Sequence, residues 1–265
     1  GGGTDYKEFY SEHGSLVIGF SIDKYSYVSL RRTPSIFPFK SIVSYSKTER
    51  VSRNKDILHD GVRGVLEHLN IKEGVEINYA GDLPAQTGTG SSSSFIVGLL
   101  NAIYCLKNKQ ISQKELAEQA IEVERVLLAE PGGIQDQIWA AYGGMNSIEI
   151  HKTGSFEVKP LPVSQEFVNN LIERSILIYT GNTRKSFKIA NEINSSDNID
   201  AKKKILDLSR QAYSLFLDSD IDSIAECLSR SWNEKKKLSS LVCPDTISKL
   251  YEDLTRMGMQ GGKLL

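Results

Sequence analysis

The most informative part of the chain is Pro84–Ser94, which reads Pro-Ala-Gln-Thr-Gly-Thr-Gly-Ser-Ser-Ser-Ser. It follows a strand candidate, Val75–Tyr79, and precedes an apolar helix candidate that begins near Ser91. Gly88 and Gly90 allow the backbone to approach a ligand closely and to adopt unusual dihedral angles. The free N–H groups and the positive dipole end of the helix point into this loop, which predicts an anion site whose usual occupant is phosphate.

The spacing of this loop excludes two familiar phosphate-binding motifs. A Walker loop needs a lysine directly after its last glycine, but Ser91 follows Gly90. A dinucleotide-binding loop needs a third glycine near the position of Ser93. On the loop alone, a serine-rich helix start without a ligand stays an open alternative.

Length and composition indicate a large globular protein. The 265 residues suit one large domain or two ordinary ones, and 40% of them are hydrophobic. A net charge of -1 argues against a nucleic-acid binder, and the apolar run Phe95–Leu106 is too short to cross a membrane. Three scattered cysteines favour a reducing compartment, so a cytoplasmic location is expected. Because the sequence begins at Gly1 without methionine and ends at Leu265 without a polar tail, we expect a piece of a longer protein.

The hydrophobic pattern predicts a mixed protein of strands and helices. We expect a hairpin of Ser15–Ile22 and Tyr25–Arg31, a second hairpin of Ser147–Ile150 and Ser155–Val158, and an apolar strand at Ser175–Tyr179. A further strand is expected at Ile42–Tyr45, and Pro160–Pro162 is the best linker candidate. The predicted helices are Asp56–Leu69, Phe95–Leu106, Gln113–Leu128 with a Ser112/Glu115 capping box, Ile134–Ala141, Ala201–Leu217, Asp222–Lys237 and Asp245–Met257.

Two carboxylates follow the loop at positions suited to phosphate chemistry. Glu124 lies near the end of an amphipathic helix, off its predicted core face, and Asp136 comes 12 residues later, past the break at Pro131–Gly133. Mg²⁺ bound with phosphates takes one or two carboxylates and a hydroxyl, and an attacking hydroxyl needs a carboxylate to accept its proton. The alternatives are a surface charge for Glu124 and a helix cap for Asp136.

Charged residues elsewhere are open to two interpretations. Arg184 and Lys185 lie at the start of a predicted helix, where the dipole disfavours cations unless an anion is bound, so they are a candidate anion site or a plain surface pair. Asp5 is suited to accept hydrogen bonds from a ligand or to form a turn after the glycines. Lys202–Lys204 and Lys235–Lys237 are interpreted as solvated helix faces.

Together these motifs resemble those of the GHMP kinases. Pro84–Ser94 is similar to the family's central motif Pro-x-x-x-Gly-Leu-Gly-Ser-Ser and departs from it at Thr89, where leucine is typical. Glu124 and Asp136 resemble the family's magnesium glutamate and catalytic aspartate. The opening Gly1–Asp5 resembles the substrate motif of its sugar kinases, and the ending Gly262–Leu265 resembles the start of its glycine-rich third motif. The family's first strand and most of that third motif are expected to lie outside this sequence.

The resemblance implies a fold and a domain division. The fold is the α+β two-domain GHMP kinase fold, with an N-terminal domain like ribosomal protein S5, a ferredoxin-like C-terminal domain and the active site in the cleft between them. Residues 1–160 would form the N-terminal domain and residues 161–265 the C-terminal domain.

The resemblance also implies an activity, its cofactors ATP and Mg²⁺, and its site residues. The expected reaction is ATP-dependent phosphorylation of the anomeric hydroxyl of a sugar phosphate. The first candidate for this substrate is D-glycero-D-manno-heptose 7-phosphate. The alternatives are a fucokinase-like kinase of an unphosphorylated sugar and a regulator that binds ATP and sugar without turnover. A homodimer is an open alternative to a monomer. The expected site residues are Gln86, Thr87, Gly88, Thr89, Gly90, Ser91 and Ser92 for ATP, Ser92 and Glu124 for magnesium, Asp136 for catalysis, and Thr4, Asp5, Arg184 and Lys185 for the substrate.

Overall fold

The computed structural model describes residues 2–84, 87–181, 186–195 and 198–264, and it confirms the predicted α+β class. The strands are β1 (Ser15–Phe20), β2 (Ser26–Arg32), β3 (Ser41–Ser44), β4 (Thr48–Val51), β5 (Val75–Gly81), β6 (Met145–Ile150) and β7 (Phe156–Pro160). The helices are α1 (Lys7–His13), α2 (Asp60–His68), α3 (Ser91–Leu106), α4 (Gln113–Ile121), α5 (Gln135–Tyr142), α6 (Gln165–Glu173), α7 (Ser186–Asn194), α8 (Ile199–Leu217), α9 (Ile221–Lys236) and α10 (Asp245–Arg256).

The chain forms two compact units, neither of which is continuous in sequence. Unit 1 consists of Gly1–Phe20, Pro131–Gln135 and Gly144–Leu265, and unit 2 consists of Ser21–Glu130 and Asp136–Gly143. The predicted linker Pro160–Pro162 is therefore not a junction between these units, since Pro160 ends β7 and Leu161 is buried. The family domain boundary at residue 160 stays a prediction.

Unit 2 is a four-stranded sheet packed against helices. The sheet order is β2-β5-β3-β4, in which β3 runs parallel to β5 and the other neighbours are antiparallel. Apolar residues of β5 and α2 alternate with polar ones at strand and helix spacing, and α3 is apolar from Phe95 to Leu100. The apolar sides of the three elements meet in one core. Ile77, Val65 and Leu99 are fully buried there. This core fixes the start of α3, and with it the serine-rich loop.

Unit 1 combines a three-stranded antiparallel sheet, in the order β1-β6-β7, with α1 and α6 to α10. Tyr6, which follows Gly2–Asp5, packs in a cluster with Ile205, Trp232 and Leu238 from the C-terminal part of the chain. The start of the sequence is thereby held by helices more than 190 residues away along the chain. The second predicted hairpin is confirmed, because β6 pairs with β7 from Ile150↔Phe156 to Asn146↔Pro160.

The first predicted hairpin is wrong. Ser15 of β1 pairs with Ile150 of β6, whereas Ser26 of β2 pairs with Gly81 of β5, so the two strands belong to different sheets. The N–H of Tyr25 donates to the carboxylate of Asp82 rather than to a turn partner. Alternating apolar residues predicted the strands, but they carry no information about which strand pairs with which.

Two further expectations are also wrong. Ser175–Tyr179 is not a strand and its residues are exposed, because a strand needs a ladder partner and none of the described residues provides one. Lys202 is only 2% exposed instead of lying on a solvated face, since it shares a side of α8 with Ile205 and Leu206. Among the described residues, no helix has the length and apolarity needed to span a membrane.

Candidate active site

The serine-rich loop of unit 2 ends against an acidic side chain. Gly88 and Gly90 adopt positive φ angles of 80° and 71°, which glycine reaches without strain, and α3 begins at the next residue, Ser91. A Cβ at Gly90 would lie 3.4 Å from Cγ of Asp136. The structure therefore brings together the predicted phosphate loop and the predicted catalytic aspartate.

The threonines of the loop bond to each other and to the loop backbone. The hydroxyls of Thr87 and Thr89 lie 2.9 Å apart, and Thr87 Oγ1 also donates to the carbonyl oxygen of Pro84 at 3.2 Å. Thr89, the departure from the family motif, thus gives the loop a side-chain hydrogen bond that leucine cannot form. Gln86 lies outside the described residues.

Glu124 is buried, contrary to the expected position off the core face. Its side chain is 1% exposed, and Oε2 accepts hydrogen bonds from Ser93 Oγ at 2.8 Å and from Nε2 of Gln137. The reason is a π-helical turn over Glu122–Leu127. Its wider winding departs from 3.6 residues per turn, so α-helical spacing no longer tells which side of the helix a residue occupies. The predicted capping box of Ser112 and Glu115 at the start of this helix is confirmed.

Sequence patterns did not predict two residues of this site, Ser93 and Gln137. Ser92, the predicted magnesium ligand, is exposed at the start of α3, and Ser91 is half-buried. Ser93 is the serine that reaches Glu124. Its helical spacing to the apolar residues Ile96 and Leu100 is the signal that could have placed it on the inner face of α3.

The oxygen-rich set around Glu124 fits a magnesium ion bound together with phosphates. Within the described ranges, no group of three or more His, Cys, Asp and Glu side chains is placed to hold a metal alone. Mg²⁺ at nucleotide sites needs only one or two carboxylates, because phosphate and water oxygens complete its shell. Glu124 provides a carboxylate and the serines provide hydroxyls. Oε1 of Gln137 is a buried oxygen with no hydrogen-bond partner among the described residues.

A second carboxyl group, that of Glu130, lies near Glu124. The N–H of Glu130 donates to the carbonyl oxygen of Glu124 at 2.9 Å, and Arg125 Nη1 donates to the carbonyl oxygen of Glu130 at 3.0 Å. Burial raises the pKa of the Glu130 carboxyl, and the charge of Glu124 raises it further against the opposing guanidinium of Arg125. The segment after the π-helical turn is thereby tied back to Glu124.

Asp5, the predicted sugar ligand, is held in unit 1 by main-chain groups. It is 2% exposed, and its carboxylate accepts from the N–H groups of Gly3 and Gln135, each at 3.2 Å. A Cβ at Gly133 would lie 1.7 Å from Asp5 Oδ2, so only glycine fits there. Each carboxylate oxygen has further lone pairs, which leaves Asp5 able to accept a ligand hydroxyl.

Thr4 beside it is also fully buried and accepts a hydrogen bond from Ser15 Oγ at 2.8 Å. The other two predicted substrate residues, Arg184 and Lys185, lie outside the described residues. The role of every predicted site residue stays a prediction.

Comparison with known proteins gives the family of the central part of the chain. Residues 57–144 match the family model for the N-terminal domain of GHMP kinases. This part of the chain is a GHMP kinase domain. It contains the loop, Glu124, Asp136 and Gln137, and GHMP kinases are phosphotransferases that use ATP and act on hydroxyl groups.

Relatives of this GHMP kinase domain also align beyond it. A D-glycero-alpha-D-manno-heptose 7-phosphate kinase of Campylobacter jejuni is 26% identical over 280 residues, which covers 99% of this chain and 81% of that protein. A bifunctional fucokinase/GDP-fucose pyrophosphorylase of Arabidopsis thaliana is 23% identical over 71% of this chain and 18% of its own length. The crystal structure of a D-glycero-D-manno-heptose 1-phosphate kinase from Bacteroides thetaiotaomicron has a TM-score of 0.80 at 24% identity, over 99% of this chain and 80% of that one.

Proposed function

We propose that the protein is an ATP-dependent sugar kinase that phosphorylates the anomeric hydroxyl of a sugar phosphate, with D-glycero-D-manno-heptose 7-phosphate as the first acceptor to test. The observation that supports this most is the arrangement in unit 2, where Asp136 lies against the loop glycine Gly90 and Glu124 is held by Ser93. The similarity to a heptose 7-phosphate kinase along 99% of the chain directs the proposal to a heptose.

The proposed phosphate and metal groups lie at the start of α3. The N–H groups of Thr87–Ser92, together with Gln86, bind the phosphates of ATP, because the first N–H groups of a helix have no intrahelical acceptor and lie at its positive end. Glu124 and Ser92 hold Mg²⁺, which when bound offsets the negative charge of the phosphates. Glu124 is kept in one orientation by Ser93 and Gln137, so it needs little rearrangement to act as a ligand.

The proposed acceptor groups are carboxylates with different tasks. Asp136 accepts the proton of the attacking hydroxyl and orients its oxygen, as a carboxylate general base does in phosphoryl transfer. Asp5 and Thr4 bind sugar hydroxyls, while Arg184 and Lys185 bind the phosphate that the acceptor already carries. Catalysis in this scheme depends on positioning and on charge, since phosphoryl transfer requires little covalent chemistry from the protein.

Three further assignments accompany the proposal. The protein acts in the cytoplasm on a small molecule, without nucleic acid or a membrane as partner, and a homodimer stays an alternative to a monomer.

A fucokinase-like enzyme that takes an unphosphorylated sugar is the second candidate function, supported by the similarity to a bifunctional fucokinase over 71% of the chain. A non-catalytic binder of ATP and sugar is less favoured, because Glu124 and Asp136 are both present.

The decisive experiment is an acceptor panel with ATP consumption as the readout. The two heptose kinases similar to this chain are named for substrates with phosphate at different carbons, so heptose 7-phosphate, heptose 1-phosphate, free heptose and L-fucose are all tested. We expect the fastest turnover with heptose 7-phosphate and a 1,7-bisphosphate product in the ³¹P NMR spectrum. Preference for L-fucose would replace the proposal with the second candidate, and nucleotide binding without turnover of any sugar would favour the non-catalytic binder.

A further inference from the structure

The two oxygens of the Glu124 carboxylate have different surroundings. Oε2 accepts hydrogen bonds from Ser93 Oγ at 2.8 Å and from Nε2 of Gln137, and Nη2 of Arg125 lies 4.0 Å from the same oxygen. Within the part of the chain that the structure describes, no hydrogen bond to Oε1 of Glu124 is found. A carboxylate oxygen has about two lone pairs, so Ser93 and Gln137 fill Oε2 and leave Oε1 for a ligand.

The contact with Glu124 fixes the orientation of the Gln137 amide. A carboxylate oxygen only accepts, so the amide directs its N–H group toward Glu124 and its own oxygen away from it. That amide oxygen is buried and has no hydrogen-bond partner among the described residues, and Gln137 as a whole is 0% exposed. Because buried acceptors are normally paired with a protein group or an ordered water, this oxygen is suited to accept a hydrogen bond from a bound ligand.

This arrangement suits the coordination of Mg²⁺ better than that of Ca²⁺. Mg²⁺ requires octahedral geometry with oxygens at about 2.0–2.1 Å, and it keeps several of its waters. One carboxylate oxygen of Glu124, together with a retained water that donates to the Gln137 amide oxygen, meets both requirements. Ca²⁺ takes about six to eight oxygens at longer distances and can bind both oxygens of one carboxylate. Oε2 of Glu124 is not available for such a contact while Ser93 and Gln137 donate to it.

We propose that Ser93 and Gln137 are positioning residues that restrict Glu124 to a single metal-binding oxygen, and that they thereby make the site select Mg²⁺ over Ca²⁺. This inference rests on the metal role of Glu124 in the proposed function. It goes beyond that role, because it assigns the choice of ion to two residues outside the proposed metal ligands. Removal of either donor frees a lone pair of Oε2 for a second metal contact, which benefits Ca²⁺ and not Mg²⁺. A role confined to stabilising the buried carboxylate would affect both ions alike.

The test measures the binding of a non-hydrolysable ATP analogue by calorimetry, once with saturating Mg²⁺ and once with saturating Ca²⁺, in the absence of any sugar. The ratio of the two dissociation constants reports the preference of the protein, because the nucleotide carries the metal in both titrations. We expect the parent to bind the Mg²⁺ form more tightly. In Ser93→Ala and in Gln137→Met this preference should fall about tenfold, the lower end of what a hydrogen bond to a charged group contributes.

The matched controls are Ser94→Ala and Gln119→Met. Ser94→Ala removes a hydroxyl from the next residue of α3, and Gln119→Met removes an amide that donates to Tyr104 instead of Glu124. Both controls should keep the parental ratio. Circular dichroism establishes that each variant is folded before its binding is measured, and two independent variants keep the test decisive if one of them does not fold.

Three results would overturn the inference. They are equal affinity of the parent for the Mg²⁺ and Ca²⁺ forms, a parental ratio in either folded variant, and an equal loss of affinity for both forms. If the parent also phosphorylates heptose 7-phosphate, any of these results leaves the proposed function standing. A parent whose metal preference falls as expected in the variants, but which phosphorylates no sugar of the acceptor panel, would overturn the sugar kinase function and keep the inference.

Discussion

Two buried carboxylates, Glu124 in unit 2 and Asp5 in unit 1, are fixed by different kinds of partner. Glu124 accepts hydrogen bonds from the side chains of Ser93 and Gln137. Asp5 accepts hydrogen bonds from main-chain N–H groups and packs against the bare Cα of Gly133. Both are 2% exposed or less, so neither is a surface charge.

The difference determines which substitutions each site tolerates. At Glu124, the geometry depends on side-chain identity, and exchanging one partner removes one hydrogen bond without moving the backbone. At Asp5, the geometry depends on backbone conformation, so the most damaging change is the addition of a single carbon at a glycine. We therefore expect substitutions around Glu124 to lower stability and activity in small steps. The addition of a side chain at the glycine beside Asp5 should lower both strongly.

The largest effect is expected for Asp136→Asn in unit 2. The change keeps the shape of the side chain and removes its charge, and general-base help typically contributes about 10²- to 10⁴-fold. We expect kcat to fall by that factor while the affinities for ATP and sugar change little, because the lost interaction acts mainly in the transition state. Steady-state kinetics with both substrates measures this, and a kcat close to the parental value would exclude Asp136 as the base.

Gly133→Ala tests the abrupt response of unit 1. Its Cβ would overlap the Asp5 carboxylate, so Asp5 or the backbone must move, and overpacking of this kind costs about 3 kcal/mol at the upper end of its usual range. We expect that loss in chemical denaturation and a strongly raised KM for the sugar.

The control for Gly133→Ala is Gly98→Ala, which adds the same methyl group inside α3 at 3.3 Å from a methyl of Val28. This variant should be neutral or slightly stabilising, because alanine favours a helix more than glycine does. Equal stabilities of the two variants would contradict the distinction between the sites.

Gln137→Met tests the graded response of unit 2. It removes one of the donors to Glu124 at nearly constant volume, and we expect a loss of about 1.5 kcal/mol in the free energy of unfolding. Activity should require more magnesium, since Glu124 is less firmly oriented. Gln119→Met, which removes a neutral hydrogen bond to Tyr104, is the matched control and should leave the magnesium titration unchanged. An unchanged titration in Gln137→Met as well would show that Gln137 is only a packing residue.

The smallest effect concerns Glu130, whose pKa is raised by burial and by Glu124. A carboxyl group with a raised folded-state pKa adds stability below its unfolded pKa of about 4.3, and this stability is lost as the pH rises through the folded value. Relative to the parent, Glu130→Gln should therefore gain stability between pH 4 and pH 8. Denaturation midpoints of both proteins across that range measure this difference in stability. If the two midpoints change with pH in parallel, the pKa of Glu130 is not raised by its surroundings.

Local sequence patterns predicted most elements and the loop of unit 2, because helix caps, glycines and apolar spacing act over a few residues. Gly90, Glu124 and Asp136 were predicted as candidate site residues in this way, and the structure places Gly90 beside Asp136. Strand pairing depends on residues far apart in sequence, for which spacing gives no signal. The burial of Lys202 was missed although its helical spacing to Ile205 and Leu206 indicates it. The π-helical turn was missed for another reason, since apolar spacing assumes 3.6 residues per turn throughout.

The π-helical turn over Glu122–Leu127 affects how this part of the chain tolerates the deletion of a residue. Deleting one residue from an ordinary helix rotates everything beyond it by about 100°, as 3.6 residues per turn requires. A π-helical turn already contains one residue more than an α-helical turn. Deleting one residue there can therefore return the segment to α-helical winding and leave the following loop in place. When related chains are aligned, a single-residue gap between positions 122 and 127 is therefore a structurally reasonable event rather than an alignment error.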